Sequence, residues 1–352
     1  MRVLHIDGGR GWGGGQNQVR LLMRGLAREH VEQLCVCPAG SPLETRLHSA
    51  HLPVAGIRWP RGIDVRVLFH LARRMREFTV IHCHDAHALQ LALIPARLRA
   101  VPVIGTRRVI FRTRPGKWNR ATRVIAISEA VRERLLASGV HASLIRTIPS
   151  GIDVAEVATL PLATPGLRDR MSLAPTAFLA GNIGTLLDFK HQVIIPHAAA
   201  HARDITWVII GEGPERERLE EAIKSHGVTG SVQLAGSASD ARPFLREMDV
   251  FVFPSKGEAL GTSMLDAMAM GVPVVAAADG GPAEVLEPVH RETGVSLFPL
   301  DDAATLAAHV RKLRDDVALR RKAVALQSQR VHDYGIERTV AKTLALYREV
   351  TR

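Results

Sequence analysis

The sequence has 352 residues, 46% apolar and 23% charged, so it is long enough for two domains and its composition excludes a disordered or fibrous chain. No apolar run reaches the roughly 20 residues needed to cross a bilayer, and the opening MRVLHIDGG becomes polar too soon for a secretory signal, which predicts a cytoplasmic protein. The formal net charge of +11 comes from the first half, because residues 1–160 hold 24 Lys and Arg against 11 Asp and Glu, whereas residues 161–352 hold 22 against 24.

The basic first half favours an anionic partner, but charge alone does not choose among nucleic acid, an anionic membrane and an acidic substrate. Aromatic residues make up only 4% of the chain and are not interleaved with basic ones, which disfavours a platform for single-stranded nucleic acid. The three cysteines, Cys35, Cys37 and Cys83, lie in or beside apolar runs. We therefore expect buried free thiols and no disulfide framework.

The first strand, residues 2–7, runs into a glycine-rich loop and then a helix over 19–28. Gly9, Gly11 and Gly14 match the dinucleotide pattern G-x-G-x-x-G, which also requires an acidic residue at the end of the second strand. That strand, residues 33–37, is followed by Pro38 with no carboxylate beside it. We interpret the segment as a glycine loop that lets the backbone approach a ligand.

Strands and helices alternate through the rest of the first half, which predicts a parallel sheet covered on both faces. The segment VIHCHDAHA places His82, His84 and Asp85 at the carboxyl end of one strand, where sites in such sheets lie. A zinc site, a structural histidine and a substrate contact are three readings of this cluster, with His84 better placed than His82 for substrate. The predicted strands are 51–57, 80–83, 101–105 and 124–127, and the predicted helices are 65–78, 88–97 and 129–138.

A dense basic run follows. Two interpretations are open: a solvated loop, or a segment that contacts an anionic acceptor or lipid head groups. The run comprises Arg107, Arg108, Arg112, Arg114 and Lys117, and the first three are the candidates for the acceptor or membrane side. Turn-forming residues 148–165 then connect to a second series of strands, 177–183, 206–210, 232–234, 250–253 and 272–276. We predict an α/β protein with domains at 1–155 and 156–335, and a final amphipathic helix, within 336–352, that packs on one of them.

Residues 254–273 read as loop, helix and strand, with Glu258 in the loop and Asp266 in the first turns of the helix. Gly261 and Thr262 mark the helix start, where free amide groups and the helix dipole favour an anion. Two carboxylates beside an anion site suit a ligand with phosphates and hydroxyls, although each could also be a solvated or dipole-complementing residue. A helix is also expected from about Phe189, and Lys190, at this passage from strand to helix, is a candidate phosphate contact.

These segments, taken in order, resemble the retaining glycosyltransferases of family 4. Glu258 and Asp266 match the E-x7-E element of that family, and GGGQNQ resembles its glycine loop. Three further motifs follow the family order over almost the whole chain: IPSGID at 148–153, GEGP at 211–214 and DGGPAEV at 279–285. The resemblance implies the GT-B fold, with two Rossmann-like domains whose parallel sheets face a central cleft.

The resemblance also implies site roles. Glu258 would contact hydroxyls of the donor sugar, Asp266 the ribose and Lys190 the diphosphate, with His84 near the reacting sugar. The catalytic residues implied are thus Glu258, His84 and Lys190, and the remaining donor-binding positions are Gly14, Gly15, Gly184, Thr185, Ala259, Leu260, Gly261, Thr262 and Asp266. The implied reaction is glycosyl transfer from a nucleotide-diphosphate sugar, UDP or GDP, to a glycan, lipid-linked or other hydroxyl acceptor in cell-surface polysaccharide or lipopolysaccharide synthesis. No metal, other cofactor or nucleic-acid partner is expected, and peripheral contact with an anionic membrane at its inner face is a further predicted interaction.

Three positions depart from the family pattern. Asp266 replaces the usual Glu, Ala259 takes a glycine position, and Thr185 stands where many members have an arginine. The last raises the question of which other basic residue neutralises the diphosphate. No nucleophile is evident, so the route to retention is open.

Three alternatives remain. A nicotinamide-dependent oxidoreductase would use the N-terminal glycines and leave Glu258 and Asp266 without a role. A nucleotide-sugar epimerase of the same fold would process the donor without an acceptor. A non-catalytic two-domain binding protein would bind the ligand without turnover.

Overall fold

A computed structural model describes residues 1–60, 62 and 64–352. The chain divides into two compact units, of which unit 1 comprises Met1–Asp153 and Tyr334–Arg352, and unit 2 comprises Val154–Asp333. Each unit contains one sheet, and every strand pairing described in either sheet is parallel. The predicted α/β class with two parallel sheets is confirmed.

Unit 1 has a seven-stranded sheet in the order β3-β2-β1-β4-β5-β6-β7. Its strands are β1 (Arg2–Ile6), β2 (Glu32–Pro38), β3 (Val54–Ile57), β4 (Val80–Cys83), β5 (Val103–Arg107), β6 (Arg123–Ala126) and β7 (Ile145–Thr147). Its helices are α1 (Gly14–Arg28), α2 (Pro42–Ser49), α3 (Val65–Arg74), α4 (Ala86–Arg99), α5 (Glu129–Ala137) and the C-terminal α14 (Ile336–Thr351).

Unit 2 has a six-stranded sheet in the order β10-β9-β8-β11-β12-β13. Its strands are β8 (Leu179–Ile183), β9 (Thr206–Ile210), β10 (Val232–Leu234), β11 (Val250–Phe253), β12 (Val274–Ala277) and β13 (Leu297–Phe298). Its helices are α6 (Val154–Ala158), α7 (Leu167–Arg170), α8 (Ile194–His201), α9 (Arg216–Ser225), α10 (Thr262–Ala269), α11 (Gly280–Thr293), α12 (Ala303–Asp315) and α13 (Val317–Val331).

The C-terminal helix belongs to the core of unit 1. Apolar side chains of α14 pack with those of α1 and the central strands, among them Val340, Leu344 and the fully buried Tyr347. The Tyr347 hydroxyl bonds the Nδ1 atom of His82 on β4, 2.6 Å away. The sequence left the partner of this helix open, and long-range packing decides it.

Two predicted helix starts are wrong. Helix α1 begins at Gly14 rather than at residue 19, because the helix extends over two glycines whose low helix propensity hides the true start. The helix expected from about Phe189 begins at Ile194, because a 3-10 turn, Asp188–Lys190, ends at His191 in the left-handed region with φ of 53°. The strands β7 and β13 are too short for their alternation to show in the sequence.

Cys35, Cys37 and Cys83 are buried and free, as predicted. Among the helices that the structure describes, each is too short or too polar to cross a bilayer.

Candidate functional site

In an open parallel sheet, a binding crevice forms at the carboxyl ends of two neighbouring strands where the strand order reverses. The order reverses between β1 and β4 in unit 1, and between β8 and β11 in unit 2. The residues directly after these strands are Asp7, His84, Gly184 and Pro254. Most of the predicted site residues follow one of these four strands, so they sort into one crevice in each unit.

An ion pair joins the two loops at the crevice of unit 2. The Lys190 ammonium bonds the Glu258 carboxylate across 68 residues of sequence. Their side chains are only 21% and 16% exposed. The ammonium also lies 5.2 Å from the ring centre of Phe189 and 5.4 Å from that of Phe253. The crevice therefore holds a partly desolvated cation, which suits an anionic ligand.

Helix α10 begins beside this pair. Its N-cap is Gly261, whose φ of 89° is in the left-handed region, and a Cβ there would lie 2.9 Å from the ring of Phe253. A glycine has no side chain to cap the helix, so the amide groups from Thr262 onward are available to an anion. Ala259 and Leu260 are buried.

The loop after β8 carries its polar groups on the backbone. The carbonyl oxygens of Gly184 and Thr185 accept hydrogen bonds from Nε2 of Gln192 at 3.4 and 3.3 Å. Thr185 is exposed and brings no positive charge. The backbone amide of Lys256, however, donates to the Phe189 carbonyl at 2.7 Å. Lys256 is thus a second lysine held next to the Lys190 turn, and sequence reasoning missed it.

Asp266 lies among charged groups that the sequence did not associate with it. Burial raises the pKa of Asp266 from 3.8 to about 7, the nearby Arg242 guanidinium opposes this rise, and the carboxylates of Asp240 and Glu156 add to it. Arg242 is itself paired with Asp240 at 2.6 Å. A carboxyl group that titrates near neutrality can accept hydrogen bonds from ribose hydroxyls more strongly as pH rises.

The crevice of unit 1 contains a chain of buried hydrogen bonds. The Arg108 guanidinium lies 3.3 Å from Nδ1 of His84, and Nε2 of His84 lies 2.9 Å from Nδ1 of His5. Because a guanidinium only donates, the proton of His84 is on Nε2 and is donated to His5. Burial lowers the pKa of His84 well below its ordinary value and that of His5 to about 4, so both rings are neutral at pH 7.

The His84 side chain is 3% exposed, and both of its ring nitrogens are hydrogen-bonded inside unit 1. Arg108 also donates to Ser150 Oγ at 3.0 Å, and burial lowers the pKa of Arg108 to about 10 while Asp7 and Asp85 oppose the change. Contact of His84 with a sugar stays a prediction, and it requires Arg108 to release Nδ1.

His5 also completes a group of three histidines with His82 and His84. One nitrogen from each lies within 4.8 Å of the others, a spacing that can hold a metal ion. Both nitrogens of His82 already have partners, the hydroxyls of Tyr347 and Thr106, each at 2.6 Å. The Arg108 cation next to His84 further disfavours a metal cation. The sequence indicated only the H-x-H pair of His82 and His84. His5 could have been added, because β1 and β4 are neighbours in many sheets with this switch point.

Two carboxylates hold the glycine loop. Asp85 accepts from the Gly8 amide at 2.6 Å, and Asp7 accepts from the Gly9 amide at 2.8 Å. Gly14 and Gly15 form the first turn of α1, where a Cβ on Gly15 would lie 3.7 Å from Arg108. The glycine loop, Arg108 and His84 thus share one crevice.

The predicted basic run is only partly turned to solvent. Arg107 donates to the Phe111 carbonyl at 2.6 Å and lies 5.7 Å from the centre of the Trp118 ring. Arg108 is directed to His84, as described above, and Arg112 is exposed. Of these three arginines, Arg112 is therefore the one most open to an acceptor or a membrane.

Family models match both halves of the chain. The model described as Glycosyltransferase Family 4 matches residues 12–156, and the model described as Glycosyl transferases group 1 matches residues 177–316. The chain belongs to glycosyltransferase family 4.

Two relatives of this family 4 chain are each 27% identical to it. A 2-deoxystreptamine glucosyltransferase of Streptomyces kanamyceticus is 27% identical over 66% of this chain and 62% of its own length. A lipopolysaccharide core biosynthesis glycosyltransferase, LpsD of Rhizobium meliloti, is 27% identical over 56% of this chain and 58% of its own length. The chain thus spans about three fifths of the length of these two relatives.

The solved structure of Anabaena Alr3699/HepE in complex with UDP-glucose has the same fold. It superposes with a TM-score of 0.83 and 23% identity, covering 98% of this chain and 99% of HepE. The predicted GT-B fold is confirmed.

The family motif DGGP supports the loop that carries Glu258. The Gly257 amide donates to Asp279 at 2.6 Å, and the Gly281 amide donates to the Glu258 carbonyl at 2.9 Å. Gly280 has φ of 57°, and a Cβ there would overlap that same carbonyl oxygen. The motif therefore fixes the backbone that carries Glu258.

GEGP and IPSGID have equivalent supporting roles. A Cβ on Gly211 would overlap the Gly184 carbonyl, so GEGP packs directly under the loop that leads to Lys190. In unit 1, Gln18 donates to the Gly151 carbonyl at 2.7 Å, and Arg24 pairs with Asp153 at 2.6 Å. IPSGID thereby fastens the end of the first sheet to α1.

Proposed function

We propose that this protein transfers a glycosyl group from a nucleotide-diphosphate sugar to a hydroxyl group of an acceptor, and that unit 2 binds the donor. One observation supports this most directly. Lys190 and Glu258 meet at the switch point of the unit 2 sheet, beside the uncapped amino end of α10. A cation and free amides suit a diphosphate, and a carboxylate suits sugar hydroxyls.

UDP and GDP sugars are the donors that we propose to test first. The solved HepE complex contains UDP-glucose, which supports a uridine donor for a chain of the same fold. Asp266 would accept hydrogen bonds from the ribose hydroxyls. Lys256 would add the positive charge that Thr185 does not bring, because its backbone is bonded to the turn that carries Lys190.

The reaction breaks the bond between the anomeric carbon and the diphosphate oxygen. The diphosphate leaves with the electron pair, and Lys190 together with the amides of α10 would stabilise its growing charge. Glu258 would hold the sugar by its hydroxyls. The acceptor hydroxyl forms the new bond to the anomeric carbon and loses its proton. We propose that this proton passes to the departing diphosphate oxygen and that the configuration at the anomeric carbon is retained.

We further propose that transfer needs no metal ion. The Lys190 ammonium and the helix amides supply the charge stabilisation that a bound metal would otherwise give. In the three-histidine group of unit 1, both ring nitrogens of His82 and of His84, and Nδ1 of His5, are already in hydrogen bonds. Transfer that survives dialysis against EDTA is the expected result, and activity restored only by added Mg²⁺ or Mn²⁺ would contradict it.

The acceptor that we propose is a glycan or a lipid-linked glycan, used in making a cell-surface polysaccharide or lipopolysaccharide on the cytoplasmic side of the membrane. The name of the LpsD relative supports this class. The basic first half supports an acceptor that is anionic or presented at an anionic surface.

A panel of ligands tests the donor. Thermal shifts are measured with UDP-, GDP-, ADP- and CMP-sugars, with NAD as control. We expect stabilisation by at least one sugar nucleotide and none by NAD. Stabilisation by NAD alone would instead favour the oxidoreductase. Proton NMR of the product anomeric signal then distinguishes retention from inversion, and donor conversion without acceptor would favour an epimerase.

Two variants test the division of labour in unit 2. Glu258→Ala should retain nucleotide binding while transfer collapses, because the sugar loses its carboxylate partner. Asp266→Ala should weaken nucleotide binding itself. Unchanged transfer in both variants would overturn the site assignment.

A further inference from the structure

Two neighbouring helices of unit 1 expose large apolar side chains. On α3, Val65 and Phe69 are 75% and 72% exposed, and on α4, Ile94 and Leu98 are 57% and 78% exposed. The members of each pair are four residues apart and therefore lie on one side of their helix. Helices α3 and α4 pack against each other in the same layer of unit 1. We call their exposed surface the α3–α4 face.

The same helices carry only one sign of charge. Their sequences, VRVLFHLARR and AHALQLALIPARLR, contain five arginines and no Asp or Glu. Arg66 and Arg73 of α3, and Arg97 and Arg99 of α4, are exposed. Apolar side chains flanked by arginines, without carboxylates on either helix, form the pattern of a helix that lies in a lipid interface.

An open cavity of about 950 Å³ continues from the end of α4. Leu98, Val101 and Val350 contribute apolar walls, and Arg97 and Arg120 contribute positive charge. A cavity with this lining can receive part of an acyl chain while its arginines meet a phosphate.

We propose that the α3–α4 face docks unit 1 on an anionic phospholipid bilayer. Val65, Phe69, Ile94 and Leu98 would enter the boundary between head groups and acyl chains, while the arginines contact lipid phosphates. Neither helix can cross the bilayer, so each lies along its surface. A second copy of the chain is a poorer partner, because pairing the α3–α4 faces would oppose their arginines without any helix carboxylate between them.

Vesicle sedimentation of the full-length protein tests the docking. The probes are vesicles of equal parts phosphatidylcholine and phosphatidylglycerol, compared with vesicles of phosphatidylcholine alone. We expect binding to the anionic vesicles that weakens with salt. The double variant Phe69→Ser/Leu98→Ser and the double variant Arg73→Gln/Arg97→Gln should each lower the partition coefficient by about tenfold or more.

Control variants exchange exposed side chains of the same kinds elsewhere. Leu162→Ser/Val317→Ser removes exposed apolar side chains from unit 2, and Arg28→Gln/Arg348→Gln removes two exposed arginines from α1 and α14. Both controls should bind vesicles like the unaltered protein, and circular dichroism should show that all variants fold.

Several outcomes would overturn the proposal. Failure of the unaltered protein to bind anionic vesicles is one, and equal loss in the test and control variants is another. Loss in the arginine variant alone would indicate a purely electrostatic partner such as nucleic acid. If light scattering shows a dimer and only Phe69→Ser/Leu98→Ser converts it to monomer, the α3–α4 face is a self-association surface. Donor binding in free solution is measured separately, so failure of docking and failure of the proposed transfer are distinguishable.

Discussion

Replacing Glu258 by Gln tests whether Lys190 exchanges its carboxylate partner for the donor diphosphate. The two side chains are about four fifths withdrawn from solvent. The interaction free energy of the pair should therefore lie between that of an exposed ion pair and that of a fully buried one, at about 2 kcal/mol. A diphosphate must compete with Glu258 for Lys190. Removing the carboxylate charge should therefore strengthen binding of UDP alone by about 1 kcal/mol, or roughly fivefold.

Transfer should change in the opposite direction. An amide at position 258 is a weaker acceptor for sugar hydroxyls than a carboxylate, and we expect turnover to fall by about 100-fold. Titration calorimetry measures UDP binding, and chromatography of released nucleotide measures turnover. The matched control is Glu287→Gln, an exposed glutamate on α11 that should leave both quantities unchanged. Weaker UDP binding together with unchanged turnover in Glu258→Gln would refute this account of the pair.

Three further predictions use other contacts. The folded-state pKa of Asp266 is raised from 3.8 to about 7, so the free energy of unfolding should fall as pH rises between these values, while donor affinity should rise through about pH 7. Urea unfolding and UDP titrations against pH measure the two quantities, and Asp266→Asn should flatten both pH dependences. Lys256→Ala should weaken UDP binding by about tenfold in calorimetry, and adding Thr185→Arg should restore that binding. Unchanged UDP binding in Lys256→Ala would exclude contact of Lys256 with the diphosphate. Tyr347→Phe leaves the buried His82 nitrogen without its hydroxyl partner and should cost about 1–3 kcal/mol in urea unfolding, a loss that an unaltered midpoint would contradict.

Much of the fold was predictable, because parallel strands that are buried on both faces have short, continuous apolar sequences. The predicted strands 80–83, 206–210, 232–234 and 250–253 agree with β4, β9, β10 and β11 to the residue. Errors occurred where local signals conflict with the final structure. Two glycines concealed the first turn of α1, and the left-handed His191 separated the Lys190 turn from α8.

The candidate site was predictable in its residue types but not in its pairings. Glu258 and Lys190 were separate candidates in the sequence, and β8 and β11 had to become neighbours before the two could form an ion pair. His5 and Gly8 had no visible partner because His84 and Asp85 are almost 80 residues away in the chain. The 3-10 turn that holds Lys256 next to Phe189 has no sequence signal that we recognise.

By itself, the sequence determined the fold class and the family, because both depend on local alternation and on short motifs whose order along the chain can be read directly. The tertiary structure alone decided which charges meet. It placed Arg108 on His84, Arg242 near Asp266 and α14 on unit 1. The reason is physical: pKa values and ion pairs depend on distances of a few ångströms and on burial, and both are set by strand order and long-range packing rather than by position in the chain.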